Sequence, residues 1–513
     1  MKNTNKQEPK TKIVSEKEIY NAAKKYRLET QYNACIEEYN KLLKISPNNM
    51  TYLQELGVIY IELNLLDNAL ECFTKIYNKN PFDGVNLNNL GICNHKKGNY
   101  VAAIDWFKKI LHIKNDIPDV YKNISVCYIA LKKYKLAETT LQIVLKLRQD
   151  DDVYESIANL YFYMKKYDES ILFYKKIKNK TPKILYNLCF PYLAKKNFSK
   201  GLSLYEKRLE FNEILAQTNA KQRVELPQIP NWDGKSKCDS LLVVYEQGIG
   251  DNILYFRFII ELSKKYPDMK ITYFCTSTFR NFFKGYDNII VKTDKEGLDI
   301  LEYNFKVFIM SLPYFLKIDK IIPNKENYII ENVDKLDYWT KELEPLKKIK
   351  VGFVYNGLLM SFIEKFIPLI EFVNLTKLDI DLICICKKNE YQSDKESLSN
   401  NNSNKNVNNN LENVHFYDID RDAPFQDTIA ILKNIDLLIT IDTAIVHLAG
   451  VLNVKTWLLL GYGSDWRWFN DANKIDWFDS IELMRMEENI DLKHIMVSVE
   501  KKLSQLLIQT NDK

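Results

Sequence analysis

Small and large apolar positions recur along the first two-fifths of the chain at a regular interval. Small residues stand at Ala23, Gly57, Gly91 and Ser125, each 34 positions after the last, then at Ala158 and Cys189 after slightly shorter steps. Twelve positions after each comes a second small residue: Cys35, Ala69, Ala103, Ala137, Ser170 and Gly201. Four further on is a large one, Tyr39, Phe73, Phe107, Leu141, Tyr174 or Tyr205, one helical turn along the same face. Two helices can approach closely only where side chains are small, so the register predicts helical hairpins. Pro47, Pro81 and Pro182 are expected to end second helices, because proline cannot donate to the preceding turn. The pattern predicts an all-α array of about six helix-turn-helix repeats over 15–212, stacked into a solenoid with a groove for a peptide or another domain.

The period then changes. A connector over 213–237 is broken by Pro227, Pro230 and Gly234. From Cys238 onward, continuous apolar runs such as SLLVVYE, KITYFC, KVFIMSL, KVGFVY, DLLITI and KTWLLL alternate with helical stretches. This is the signature of buried parallel strands joined by crossover helices. A break near Pro345 predicts two doubly wound halves, 238–345 and 346–495, facing each other across a cleft, with a C-terminal helix over 496–513. The Asn-rich stretch 397–410 has little apolar area to bury and is expected to be a disordered loop.

Composition narrows the function classes. Among 513 residues, 72 Lys and Arg face 67 Asp and Glu, and a net charge of +5 gives no case for a nucleic-acid surface. Nine cysteines are scattered without paired spacing, which reads as reduced and buried thiols. Five histidines are dispersed, so no zinc site is expected. The basic N-terminus lacks an apolar core segment, and no apolar run reaches the length of a membrane span. A soluble cytoplasmic protein is expected.

Three stretches could carry chemistry. Tyr245-Glu246-Gln247-Gly248-Ile249-Gly250-Asp251 follows a strand and precedes a helix, so Gly248 and Gly250 let the backbone pass close to a ligand and the helix N-terminus offers N–H groups. Asp251 could take a proton from a hydroxyl; a plain helix cap is the alternative. In Asp442-Thr443-Ala444-Ile445-Val446-His447 a strand ends at Asp442, Thr443 can cap the next helix, and the small Thr443 and Ala444 leave room for a diphosphate; His447 is either a ligand group or a structural histidine. Gly461 to Trp468 combines two glycines, Arg467 and paired indoles, which suits either phosphate and ring binding or closure of the core edge. The pairs Asp379/Asp381 and Asp418/Asp420 are read as solvated strand flanks rather than metal ligands.

The repeats resemble tetratricopeptide repeats. EQGIGDNILYFRF, DLLITIDTAIVHLAG, GSDWRWF and WFDSIELMR, with the connector PNWDG, resemble in order and spacing the tetratricopeptide-repeat glycosyltransferases related to the heptosyltransferases, glycosyltransferase family nine. The resemblance runs through about Arg485. It implies a GT-B fold of two Rossmann-like halves, a nucleotide-sugar donor held mainly in the C-terminal half, and metal-independent inverting transfer to a glycan or protein acceptor. No cofactor or metal is implied. Asp251 matches the family's general base, Gly248 and Gly250 its loop, and Asp442, Thr443, Ala444 and His447 the donor motif. One loop departs: where the family carries a basic polar segment, this chain has Tyr355-Asn356-Gly357 followed by an apolar run, and only Lys365 remains as a phosphate partner. That departure supports an alternative, a repeat scaffold for protein partners with a degenerate transferase domain.

Overall fold

A computed structural model describes residues 15–210, 226, 228–357, 366–400, 410–469, 475–487, 490 and 492–511. Lys365 lies outside the described residues. The chain divides into two compact units, Met1–Leu160 and Tyr161–Lys513.

The first unit is built from helical hairpins: α1 (Glu16–Leu28) with α2 (Tyr32–Ile45), α3 (Met50–Glu62) with α4 (Leu66–Lys79), α5 (Gly84–Lys96) with α6 (Tyr100–Ile113), and α7 (Pro118–Ala130) with α8 (Tyr134–Leu147). Side-chain caps fix the starts of α1, α3 and α5: Ser15 and Glu18 form a reciprocal capping box, and Asn49 and Asp83 each accept two backbone N–H bonds. Every small and large position of the sequence register is buried. The small ones are needed: a Cβ on Gly57 would lie 2.6 Å from Phe73 Cζ, and one on Gly91 2.4 Å from Phe107 Cε1. Each first helix in the hairpin series stops at a left-handed residue, Thr30, Asn64, Gly98, Lys132, Lys165 or Lys196, which is a glycine at Gly98 alone. The fifth first helix, α9 (Asp151–Tyr163), spans the boundary between units.

The second unit opens with α10 (Tyr167–Lys176), α11 (Pro182–Ala194) and α12 (Phe198–Tyr205), followed by a 3-10 turn over Glu206–Glu210. Pro47 and Pro81 do follow helix ends, but Pro182 is the first residue of α11, where its missing N–H would have no intrahelical partner anyway.

Beyond the connector, two all-parallel sheets carry the fold. In the first, β1 (Ser240–Val244), β2 (Lys270–Cys275), β3 (Ile289–Thr293) and β4 (Phe305–Phe308) lie in the order β3-β2-β1-β4. In the second, β5 (Ile349–Val354), β6 (Ile380–Cys384), β7 (Val414–Phe416), β8 (Leu437–Ile441), β9 (Thr456–Leu460) and β10 (Ile481–Arg485) lie in the order β10-β9-β8-β5-β6-β7. Both orders reverse direction once, beside β1 in the first sheet and between β5 and β8 in the second. Ligands of doubly wound sheets bind at such reversals. The strands β3, β7 and β10 escape the hydropathy pattern because each is short or carries polar residues at the sheet edge.

The main helices of this unit are α13 (Ile249–Lys265), α14 (Val333–Leu343), α15 (Lys388–Asn400), α16 (Gln426–Lys433), α17 (Ala444–Val451) and α18 (Ile495–Asn511). The Asn-rich stretch is not wholly a loop. Residues 397–400 continue α15 and Asn410 is helical, while 401–409 lie outside the described residues. Asp420 is not a solvated flank: it is buried and exchanges backbone bonds with Asp427, its carboxylate also accepting from Thr428. One hydrophobic core joins Leu193, Phe198 and Leu202 of the last hairpin to Trp232 of the connector and to both sheets. All nine cysteines are buried free thiols. Among the described residues no helix is long and apolar enough to cross a membrane.

Candidate functional site

The first sheet presents its loop at the carboxyl end of β1. After Val244 the chain passes Glu246, takes a left-handed turn at Gln247 (φ 68°), and enters α13 with Gly248 at the cap position. Asp251 is therefore the third helical residue, not the cap, and its Oδ2 accepts the Gly248 N–H at 3.2 Å. Asn252 holds the turn from inside, its amide donating to the carbonyls of Glu246 (2.7 Å) and Gly248 (2.8 Å) while Tyr273 donates to its oxygen (2.8 Å).

The second sheet presents its loop at the carboxyl end of β8. Asp442 is buried beyond the strand, and Thr443 occupies the cap position of α17 without making a side-chain cap. Its hydroxyl has no hydrogen-bond partner among the described residues. His447 is buried one turn into the helix, with Trp468 stacked on its ring at 5.2 Å and 15°.

The two loops meet at Gly250. A Cβ there would lie 2.9 Å from His447 Cδ2 and 3.2 Å from Ala444 Cα, so α13 and α17 pack at their first turns only because residue 250 is glycine. Gly248 differs: it is exposed, and a Cβ would meet nothing closer than Asp251 Oδ2 at 3.4 Å.

Arg467, from the third stretch, closes the group. Its guanidinium binds Asp251 Oδ1 at 2.8 Å and Asp465 Oδ1 at 3.0 Å, near the rings of Trp466 and Tyr255. The loop carrying it is fixed by Arg485 at the end of β10, which donates to Ser464 Oγ (2.9 Å) and to the carbonyls of Trp468 and Phe469. The indoles thus serve both readings: Trp466 and Trp468 are buried core, and Trp468 also packs on the candidate donor motif.

Burial raises the Asp251 carboxyl above its ordinary value; Arg467 pulls it down, Asp465 and Asp442 push it up, and the net shift stays upward. Burial opposes the charge on Arg467, and Asp251 and Asp465 outweigh that opposition. The arrangement is a carboxylate with raised proton affinity, ion-paired to one arginine, beside two helix N-termini.

Of the residues expected from sequence, Gly250, Asp251, Asp442, Thr443, Ala444 and His447 come together, and Gly248 lies at the rim. Asn252 and Tyr273 are not among the residues that the sequence singles out, and Arg485 is present only as the last residue of the WFDSIELMR stretch, with no sign of its contact. Asn252 follows Asp251 directly, and an amide near a helix start is a polar signal there.

Residues 51–81 match the tetratricopeptide repeat family. The chain is similar to the BBSome complex member BBS4 homolog of Drosophila melanogaster, 26% identical over 164 residues, which cover 25% of this chain and 34% of that protein. It is also similar to the anaphase-promoting complex subunit CDC16 of Saccharomyces cerevisiae, 23% identical over 221 residues, 42% of this chain and 25% of that protein. The chain thus spans about a third or less of the length of these relatives. Among solved structures it is similar to a tetratricopeptide repeat protein from Parabacteroides merdae, 19% identical, covering 41% of this chain and 84% of that one with a TM-score of 0.37. The helical hairpins of the N-terminal part are tetratricopeptide repeats.

Proposed function

We propose that the chain is a glycosyltransferase whose repeats dock a protein partner or acceptor. The observation that carries the reading is the packing of α13 on α17 at Gly250, which sets Asp251 beside the helix N-terminus that follows β8. In this reading the acceptor hydroxyl gives its proton to Asp251 as its oxygen bonds to the sugar's anomeric carbon. The bond from that carbon to the diphosphate breaks, its electron pair leaves with the diphosphate, and configuration inverts. N–H groups at the start of α17 offset the charge gathering on the leaving group. Incubation with a panel of nucleotide-sugars tests this: transfer or hydrolysis is expected, Asp251→Asn should remove it, and calorimetry should show nucleoside diphosphate binding intact in the variant.

A second reading, a repeat scaffold with a degenerate transferase domain, is favoured by the ion pair that already occupies the Asp251 carboxylate. The relatives favour it too, since their names place them in multiprotein assemblies. Absence of nucleotide binding at millimolar concentration would decide for it.

A further inference from the structure

One buried ion pair has no part in the chemistry just described. Arg208 lies in the 3-10 turn that closes the repeats, with a side chain 0% exposed. Its Nε and Nη2 donate to the two oxygens of Glu246 at 2.9 and 2.8 Å, Nη2 also reaches Ser311 Oγ at 2.7 Å, and Nη1 binds Glu206 at 2.7 Å. Glu246 is the residue before the left-handed Gln247, and its own carbonyl is held by Asn252. The turn leading to Asp251 is thereby clamped from both sides, by Asn252 within α13 and by Arg208 from the repeats.

Burying two charges this completely is no efficient way to gain stability, since apolar side chains of similar volume do as well or better. What a bidentate guanidinium-carboxylate pair adds is direction. We infer that Arg208 is a positioning residue for the proposed transfer: the last turn of the repeats, acting through Glu246, sets the turn that aims Asp251. This rests on the reading of Asp251 as the base. It makes the end of the docking array a working part of the reaction site, not a tether.

The full-length chain tests it with two variants. Arg208→Met alone strands a buried carboxylate and is expected to fold poorly, so the informative variants are Arg208→Lys, which keeps the charge and loses the fork, and Arg208→Met combined with Glu246→Met, which removes both charges. A purely structural pair predicts that the double variant is folded and fully active. Positioning predicts that it is folded, with an unchanged thermal midpoint and donor KM, and with kcat lowered about a hundredfold, the scale of a misplacement near 1 Å. Arg208→Lys should fall between it and the wild type. Amide exchange at Gly248 to Asn252 should speed up in both variants while β8 and β9 keep their protection. Wild-type turnover with equal kcat in the double variant, or unchanged loop exchange, would overturn the inference and leave the transferase reading standing. No turnover by the wild type with any nucleotide-sugar would overturn both.

Discussion

The repeats and the contact between α13 and α17 use the same device over different reaches of chain. In the repeats, Gly57 admits Phe73 and Gly91 admits Phe107, partners sixteen residues apart within one hairpin. Between the two sheets, Gly250 on α13 admits His447, nearly two hundred residues away on α17, the helix that follows β8. A close approach between near neighbours repeats with the period and can be read as a pattern. One between distant elements occurs once, and its partner is set by sheet topology.

The comparison can be broken by experiment, beginning with the greatest effect. Asp251→Asn should lower turnover by about two to four orders of magnitude, the usual contribution of a general base, while unfolding of the repeats followed by circular dichroism is unaffected; a modest drop would detach Asp251 from the chemistry. Gly250→Ala drives a methyl toward the Ala444 backbone and should cost about 1–3 kcal/mol in denaturant titration. No single change in a facing side chain should restore it, since Ala444 Cα stands in the way. Gly91→Ala meets first the ring of Phe107, a side chain that can be exchanged, and better helix propensity offsets part of the strain by about 1 kcal/mol. Phe107→Leu in the same molecule should recover most of the loss, so equal rescue at both glycines would erase the difference between the two contacts.

Two pH effects are smaller. Asp251 must be ionised to accept a proton, and its proton affinity is raised, so the acid limb of kcat/KM should lie above the ordinary carboxylate value of 3.8. Arg467→Met removes the group that pulls it down and should move the limb higher; movement to lower pH would contradict the assigned electrostatics. Lys165, in the turn after α9, is lowered from 10.5 to about 8 by burial, with Arg485 adding to the effect. The folded state disfavours its ammonium, so stability should climb as pH rises from about 8 to 10.5 and be lower below that window. In Lys165→Met the climb should flatten, which urea titrations at both ends of the window would show.

Much of this was legible in the sequence. The hairpin register places its small and large residues correctly because local contacts leave a periodic trace. The runs that became β1, β2, β5, β8 and β9 were clear because both faces of those strands are covered. The ends of the first helices were not, because five of the six left-handed stops carry an ordinary side chain and give no glycine signal. Thr443 sits where a cap belongs without capping. The clamps on the site, Arg208 on Glu246 and Arg485 on the Trp468 carbonyl, each occur once and recur with no period, so no spacing rule exposes them.

The core shared by the last hairpin has a practical corollary for taking the protein apart. A fragment cut after the sixth hairpin would carry Leu193, Phe198, Leu202 and Tyr205 with the Trp232 side of their packing removed, leaving an adhesive apolar face on its final helices. Ending the fragment near Leu160, where the first compact unit closes, leaves that face with the sheets it belongs to. During synthesis the same surface has no cover until the connector and first sheet have left the ribosome, so the interval between the last hairpin and β4 is when a nascent chain is most exposed to aggregation.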